Sequence, residues 1–270
     1  MVNRNVLEVT DLTRVYGRGA AAHVAIDTVN FTVAEGELVT IVGPSGCGKS
    51  TLLRCIAGLM APTSGRVVLN GTTVTHVPDR LAVVFQDYSR SLFPWLSVRD
   101  NVALPLRRTQ RNRRERGEAA DAALAAVGLT HTAHRYPWQL SGGMQQRVAI
   151  ARALACEPVL LLMDEPFGSV DAQTREDLED LILLMRAERG ITTLLVTHDI
   201  DESVYTGDRV IVLTSSPGTV RAEITVGLPQ PRDQISTKEL REFAHLRAEV
   251  GRLVRGRASA PRVGSPPGAA

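Results

Sequence analysis

The nine residues Gly43-Pro44-Ser45-Gly46-Cys47-Gly48-Lys49-Ser50-Thr51 constrain the fold of this chain more than any other feature. They match the pattern G-x-x-x-x-G-K-[ST], in which glycines let successive backbone N–H groups curl around phosphate oxygens. The context is the one this pattern needs. Leu38-Val39-Thr40-Ile41-Val42 is apolar on both faces and reads as a buried strand, and residues 49–59 are compatible with a helix. The start of that helix adds partial positive charge at the same place. Lys49 is placed to reach the β and γ phosphates of a nucleotide, and Ser50 to ligate Mg²⁺. The lysine is conspicuous, because Lys49 and Lys238 are the only lysines among 31 basic residues.

A strand, loop and helix of this kind belong in a parallel α/β sheet. Residues 81–85, 159–163, 193–197 and 210–213 read as further buried strands, with helices at 144–155 and 172–188 between them. Ahead of the loop, residues 6–33 alternate in the manner of half-exposed strands, Ala34-Glu35-Gly36-Glu37 reads as a turn, and Asn70-Gly71 carries a hairpin signal. These segments predict a small antiparallel sheet. Residues 93–136 turn helical and polar. Beyond the strand at 210–213, Pro217, Pro229 and Pro231 are expected to break regular structure. Ser236-Thr237-Lys238-Glu239 has the spacing of a capping box, and Leu240, Phe243, Ala244, Leu246, Val250, Leu253 and Val254 give an amphipathic helix. Residues 258–270 have almost nothing to bury and are expected to be disordered.

Composition excludes several classes. At 270 residues, 44% hydrophobic and 22% charged, the chain has the make-up of an ordinary folded protein of one large domain or two modest ones. A net charge of +2 is too small for a dedicated nucleic-acid binder. Strongly apolar runs such as residues 159–163 fall far short of the ~20 residues of a membrane span, and no secretory signal follows Met1, so the expected location is cytoplasmic. Cys47, Cys55 and Cys156 lack the spacing of a disulfide framework or zinc site. Cys47, close to Lys49 and a helix start, is expected to be a reactive thiol of lowered pKa.

Asp164 and Glu165 follow the strand at 159–163, at the edge where parallel sheets bind ligands. Asp164 is placed for the Mg²⁺ shell, and Glu165 to orient or deprotonate the water that attacks the γ-phosphate. Leu140-Ser141-Gly142-Gly143-Met144-Gln145-Gln146-Arg147 puts a second anion cradle at a helix start, without a lysine of its own. With these motifs in this order, residues 6–215 closely resemble the ATP-binding cassette (ABC) ATPases. The resemblance implies a P-loop NTPase three-layer α/β core with a small antiparallel β subdomain and a helical subdomain at about 89–140. It also implies that Ser141, Gly142 and Gly143 close over ATP held by a partner subunit. Gln86 resembles the family's glutamine that contacts Mg²⁺ and attacking water, Asp171 the aspartate facing the opposing site, and His198 the switch histidine that bonds the γ-phosphate. Tyr16 resembles the aromatic that stacks on adenine, although the loop at 17–23 is longer than usual. Val170 stands where the family usually has leucine.

The family organisation implies residues 1–215 as the ATP-binding domain, 216–257 as a short C-terminal extension and 258–270 as a tail. Function follows by the same resemblance: ATP hydrolysis with Mg²⁺, by two copies that serve integral membrane permease subunits and, indirectly, a solute-binding protein. Residues 91–102, 167–175 and 228–233 look most like the importers of nitrate, sulfonates and taurine. DNA-repair and translation members of the family, or a transporter of another solute, are the alternatives. The first two are disfavoured by the short Lys49-to-Ser141 interval and by the single cassette. Two local features stay open. Arg107, Arg108, Arg111, Arg113, Arg114 and Arg116 read first as a solvated helix face, since Arg111 and Arg114 stand four residues before Glu115 and Glu118, then as a contact for acidic lipid or a membrane partner, and last as a nucleic-acid contact. Phe93, Pro94, Trp95 and Leu96 either line a groove for the permease or pack in the core.

Overall fold

The computed structural model describes residues 4–87, 91–108 and 112–256. The chain opens as a long antiparallel hairpin of β1 (Asn5–Tyr16) and β2 (His23–Ala34), in which Leu7, Val9, Leu12, Val29, Phe31 and Val33 are buried. β3 (Leu38–Val42) follows with every residue buried and runs through the glycine-rich turn into α1 (Lys49–Ile56). β4 (Ser64–Leu69) then returns to pair with β1, and β5 (Thr72–Thr73) folds back on it. Asn70 and Gly71 both have positive φ, at 49° and 77°, as the two-residue hairpin signal predicts. These four strands form the predicted small antiparallel sheet, in the order β2-β1-β4-β5.

The rest of the chain alternates strands and helices: β6 (Leu81–Val84), α2 (Val98–Ala103), α3 (Arg113–Ala126), α4 (Gly142–Leu154), β7 (Leu160–Asp164), α5 (Ala172–Arg189), β8 (Thr193–Thr197), α6 (Ile200–Thr206), β9 (Arg209–Leu213), β10 (Val220–Thr225), α7 (Ser236–Glu239) and α8 (Arg241–Val254). The main sheet has the order β10-β9-β3-β8-β7-β6, parallel throughout except at β10. Its strands are apolar on both faces because both faces are covered. In β7, Leu161 and Met163 face the core shared with α2 to α5, whereas Leu160 and Leu162 face the core shared with the front sheet and α1. A third core joins Val42, Val210 and Val212 to Val204, Phe243, Leu246 and Val250 of α6 and α8.

Three expectations need correction or limits. Residues 220–225 are a strand, β10, although the surrounding prolines predict a break; Val220, Ala222 and Ile224 alternate with Arg221 and Glu223 along an antiparallel edge. The capping box at Ser236 does not form. Asp233 caps the turn instead, its Oδ1 accepting from Ile235 N at 3.1 Å and Ser236 N at 2.8 Å, and the amphipathic helix starts separately at Arg241. Tail residues 258–270, the first residues of the helical segment at 89–90, and Arg111 lie outside the described residues. Arg114 pairs with Glu118 at 2.7 Å, as its spacing predicts, and both are exposed.

The turn between β9 and β10 is what fixes the glycine-rich loop against the front sheet. Gly218 N donates to Ala25 O at 3.0 Å, and Gly218 O accepts from Asp27 N at 3.0 Å. A Cβ at Gly218 would stand 2.1 Å from the Cys47 carbonyl oxygen, a backbone atom with nowhere to go. Gly218→Ala should therefore cost about 1–3 kcal/mol of stability, the range for forcing extra atoms into a packed site. A urea midpoint equal to wild type would show that the contact is slack.

Candidate functional site

The loop between β3 and α1 owes its shape to glycines in the left-handed region. Gly46 has φ 79° and Gly48 φ 94°. At Gly48 a side chain is also excluded by space, since its Cβ would lie 2.6 Å from Ala25 O. Lys49 is buried, and its Nζ donates to Gly43 O at 2.9 Å and Pro44 O at 3.2 Å, so the ammonium lies folded back along the loop. Ser50 Oγ donates to Asp164 Oδ1 at 3.2 Å. Thr51 Oγ1 meets the Tyr16 hydroxyl at 3.2 Å, and the Arg14 guanidinium lies 5.0 Å from the centre of the Tyr16 ring. Together these groups border a cleft of about 340 Å³, lined by Tyr16, His23 and Ala25 of the hairpin, by Ser45, Gly46 and residues 48–51 of the loop, and by Glu165. His23 and Ala25 were not singled out in the sequence. The signal for them is the β1–β2 register, which puts His23 opposite Tyr16 across the loop.

The acid edge reaches the cleft through Glu165. Burial raises the Asp164 carboxyl above its ordinary value, and the Ser50 hydrogen bond works against that rise. Glu165 is a non-glycine residue in the left-handed region, with φ 44°. Such a conformation costs of order 1–3 kcal/mol and persists only where its surroundings fix it. Here Glu165 N donates to Val196 O at 2.8 Å, and Glu165 O accepts from Gly168 N at 3.2 Å. The turn aims the side chain so that Glu165 Oε2 accepts from Gln86 Nε2 at 3.1 Å and lies 3.2 Å from His198 Nδ1. Gln86, Glu165 and His198, which follow three different strands, thus meet at one carboxylate oxygen.

The ABC transporter family's sequence model matches residues 26–168, more than half of the chain. This chain belongs to the ABC transporter family. It is 43% identical over 256 residues to the nitrate import ATP-binding protein NrtD of a Synechocystis strain, covering 93% of this chain and 96% of that protein. It is also 43% identical to the aliphatic sulfonates import ATP-binding protein SsuB of Bacillus licheniformis, over 85% of this chain and 91% of that protein. Among solved structures, the dimeric ATP-binding cassette MJ0796 in a post-hydrolysis state bound to ADP and Pi matches with a TM-score of 0.71. Its identity is 36%, over 82% of this chain and 98% of that one. The fold is therefore the ABC ATPase cassette, and the chemistry is ATP hydrolysis.

Not every expected site residue lines the cleft: Gly43, Pro44, Gln86, Asp164 and His198 do not, although Gln86 and His198 meet Glu165 and Asp164 meets Ser50, both of which do. Ser141, exposed at the start of α4, caps that helix by accepting from Met144 N at 3.3 Å. Asp171 caps α5, accepting from Thr174 N at 3.0 Å and Thr174 Oγ1 at 2.8 Å, and these hydrogen bonds hold its carboxyl below the usual range. Neither these two residues nor Gly142 and Gly143 line the cleft. Gly143 is held by space, since its Cβ would lie 2.2 Å from Thr174 Cγ2.

Cys47 departs from its expectation. Its side chain is fully buried in the core beside the front sheet and does not reach the cleft. Burial pushes the thiol up, and the nearby Lys49 ammonium offsets only part of that rise. Proximity to a lysine in sequence is outweighed by desolvation. Native protein near neutral pH should therefore be alkylated first at half-buried Cys156, with Cys47 and Cys55 reacting only in denaturant. Peptide mass spectrometry reads the order, and Cys47 labelling as fast as Cys156 in the native state would contradict it.

Proposed function

We propose that this chain is the energy-coupling ATPase of a bacterial importer for nitrate, a sulfonate, taurine or a related small anion. Two copies work at the cytoplasmic face of the membrane beneath separate permease subunits, supplied by a solute-binding protein. The meeting of Gln86, Glu165 and His198 at one oxygen beside the glycine-rich loop carries the hydrolytic reading. The names of the 43% identical relatives support the anion class. Among the described residues no helix is long and apolar enough to cross a membrane, in keeping with a separate permease. Trp95 is 70% exposed, with Phe93 packed against it at 5.3 Å between ring centres, so the core-packing alternative falls away and a docking role for this aromatic pair is favoured.

In the proposed mechanism the backbone N–H groups of residues 46–50 cradle the phosphates, and Lys49 turns from the Gly43 and Pro44 carbonyls to the nucleotide. Tyr16 borders the adenine end. Ser50 and Asp164 present two hard oxygen donors 3.2 Å apart, a set that fits Mg²⁺, which is held by one or two side-chain oxygens plus substrate phosphates. Bound there, Mg²⁺ would neutralise charge on the transferring phosphate. Glu165 accepts the proton of the attacking water, and Gln86 and His198 hold its carboxylate in place beforehand. His198 is free to turn toward the γ-phosphate as the site closes. Ser141, Gly142, Gly143 and Asp171, which lie outside the cleft of their own chain, serve the nucleotide of the opposing copy.

Glu165→Gln keeps size and polarity but loses the base, worth about 10²–10⁴-fold in rate. ATP binding should survive, turnover should fall by that factor, and an ATP-bound dimer should accumulate on sizing chromatography; normal hydrolysis by a monomeric variant would sink the assignment. The transported class is tested separately, by reconstituting the chain with its permease and solute-binding protein in vesicles. Nitrate or a sulfonate should stimulate ATPase activity, and stimulation by sugars or amino acids alone would replace the anion assignment.

A further inference from the structure

On the other side of His198 from the nucleotide cleft, and sharing no lining residue with it, a cavity of about 680 Å³ opens between the start of α6 and the middle and last turns of α8. Arg247 from the middle of α8, Arg252 from its last turn and Arg255 just beyond it all line the cavity, and Ile200 and Ala248 give it an apolar wall. Its two carboxylates are already engaged. Asp201 is bound by Arg247 Nε, and Asp199 accepts from the N–H groups of Asp201 and Glu202, at 2.8 and 3.2 Å, and lies 3.5 Å from Arg175. Arg252 and Arg255 are exposed and have no carboxylate partner among the described residues. A fourth guanidinium, that of Arg221, is fixed at the same helix end by donating to Leu253 O at 2.8 Å. Cations suit a helix C-terminus by themselves. That does not account for two unpaired guanidiniums sharing one cavity with a third and with an apolar wall.

We propose that this cavity binds a small organic polyanion, carrying two or three carboxylate or phosphate groups on a short carbon skeleton. Planar guanidinium forks match such groups bidentately, and Ile200 and Ala248 cover the carbon atoms between them. The volume lies in the range of small-molecule sites, whereas a single inorganic ion would leave most of it unfilled. His198 forms part of the wall, so the ligand would touch the ring whose Nδ1 faces Glu165. Any effect on turnover rests on the hydrolytic role proposed for His198, but binding does not.

The test is calorimetric titration of the full chain, in magnesium-free buffer, with citrate and separately with phosphoglycerate. At least one should bind. Replacing both exposed arginines, Arg252→Gln with Arg255→Gln, should weaken binding by about ten-fold or more, while Lys49→Ala, which cripples the phosphate loop, should leave it unchanged. The ring resonances of His198 should move on binding, with those of the distant His76 still. Citrate alone would assign carboxylates, and phosphoglycerate alone a phosphate ester. Binding by neither, or binding abolished by Lys49→Ala and kept by the arginine double variant, overturns the proposal whatever the fate of the ATPase assignment.

Discussion

Parallel pairing of β3 with β8, and of β8 with β7, sets Val42 opposite Thr197 and Val196 opposite Asp164. The chain therefore leaves three neighbouring strands at nearly the same height, and the glycine-rich loop, Glu165 and His198 begin side by side. β6 adds Gln86 two residues beyond Val84, itself paired with Met163. A slip of one residue in any of these pairings would turn every side chain of the strand to the other face. Burial on both faces prevents it, because each strand carries apolar residues committed to two different cores. The strained turn at Glu165 depends on the same register, since its N–H reaches Val196 O only while β7 and β8 stay aligned.

A second requirement is met by polar groups buried behind the site. Glu179 of α5 and Glu202 of α6 are both buried, and burial raises both carboxyls, Glu179 to about 7. The loop after β10 supplies partners for this region. Gln234 Nε2 donates to Glu179 Oε2 at 3.1 Å and to Asp180 Oδ1 at 2.9 Å, Tyr205 Oη donates to the same Asp180 oxygen at 2.6 Å, and Lys238 Nζ lies 5.2 Å from the centre of the Tyr205 ring. Arg232, also buried, donates to the Tyr205 carbonyl. Residues 232–238 thus hold α5 to α6, the helices that begin next to Asp171 and just after His198. The chain beyond β10 is thereby tied, through these two helices, to the edge that carries Glu165 and His198.

Much of this was legible in the sequence, for physical reasons. β3 and β8 fall on their predicted residues because a doubly buried strand leaves an unbroken apolar run. Loop and helix after β3 are fixed by glycines whose backbone angles no other residue adopts cheaply. β10 was hidden because an edge strand is only half apolar and three prolines surround it, although Val220, Ala222 and Ile224 carry the alternation. Asp233 outcompeted Ser236 as a cap because its carboxylate reaches two backbone N–H groups at once. The left-handed turn at Glu165 has no local signature at all. The Cys47 thiol misled for a related reason: sequence shows its charged neighbour, but desolvation is a property of the packed core.

Residues expected to serve the opposing nucleotide form a unit of their own. The Asp171 carboxylate holds Thr174 through both backbone and hydroxyl, and the Thr174 methyl stands against Gly143, where a Cβ would come within 2.2 Å. Thr174 is β-branched and tied at its hydroxyl, so it has little freedom to retreat. Gln146, in the second turn of α4, adds a buried bond from its Nε2 to Pro166 O at 2.7 Å, linking α4 to the turn just after Glu165. The start of α4, the start of α5 and the Glu165 turn are thereby joined by direct contacts. In the proposed dimer, these contacts connect the Ser141 segment over the opposing nucleotide to the turn that holds this chain's own Glu165, which gives two sites in separate clefts a mechanical route by which to act together.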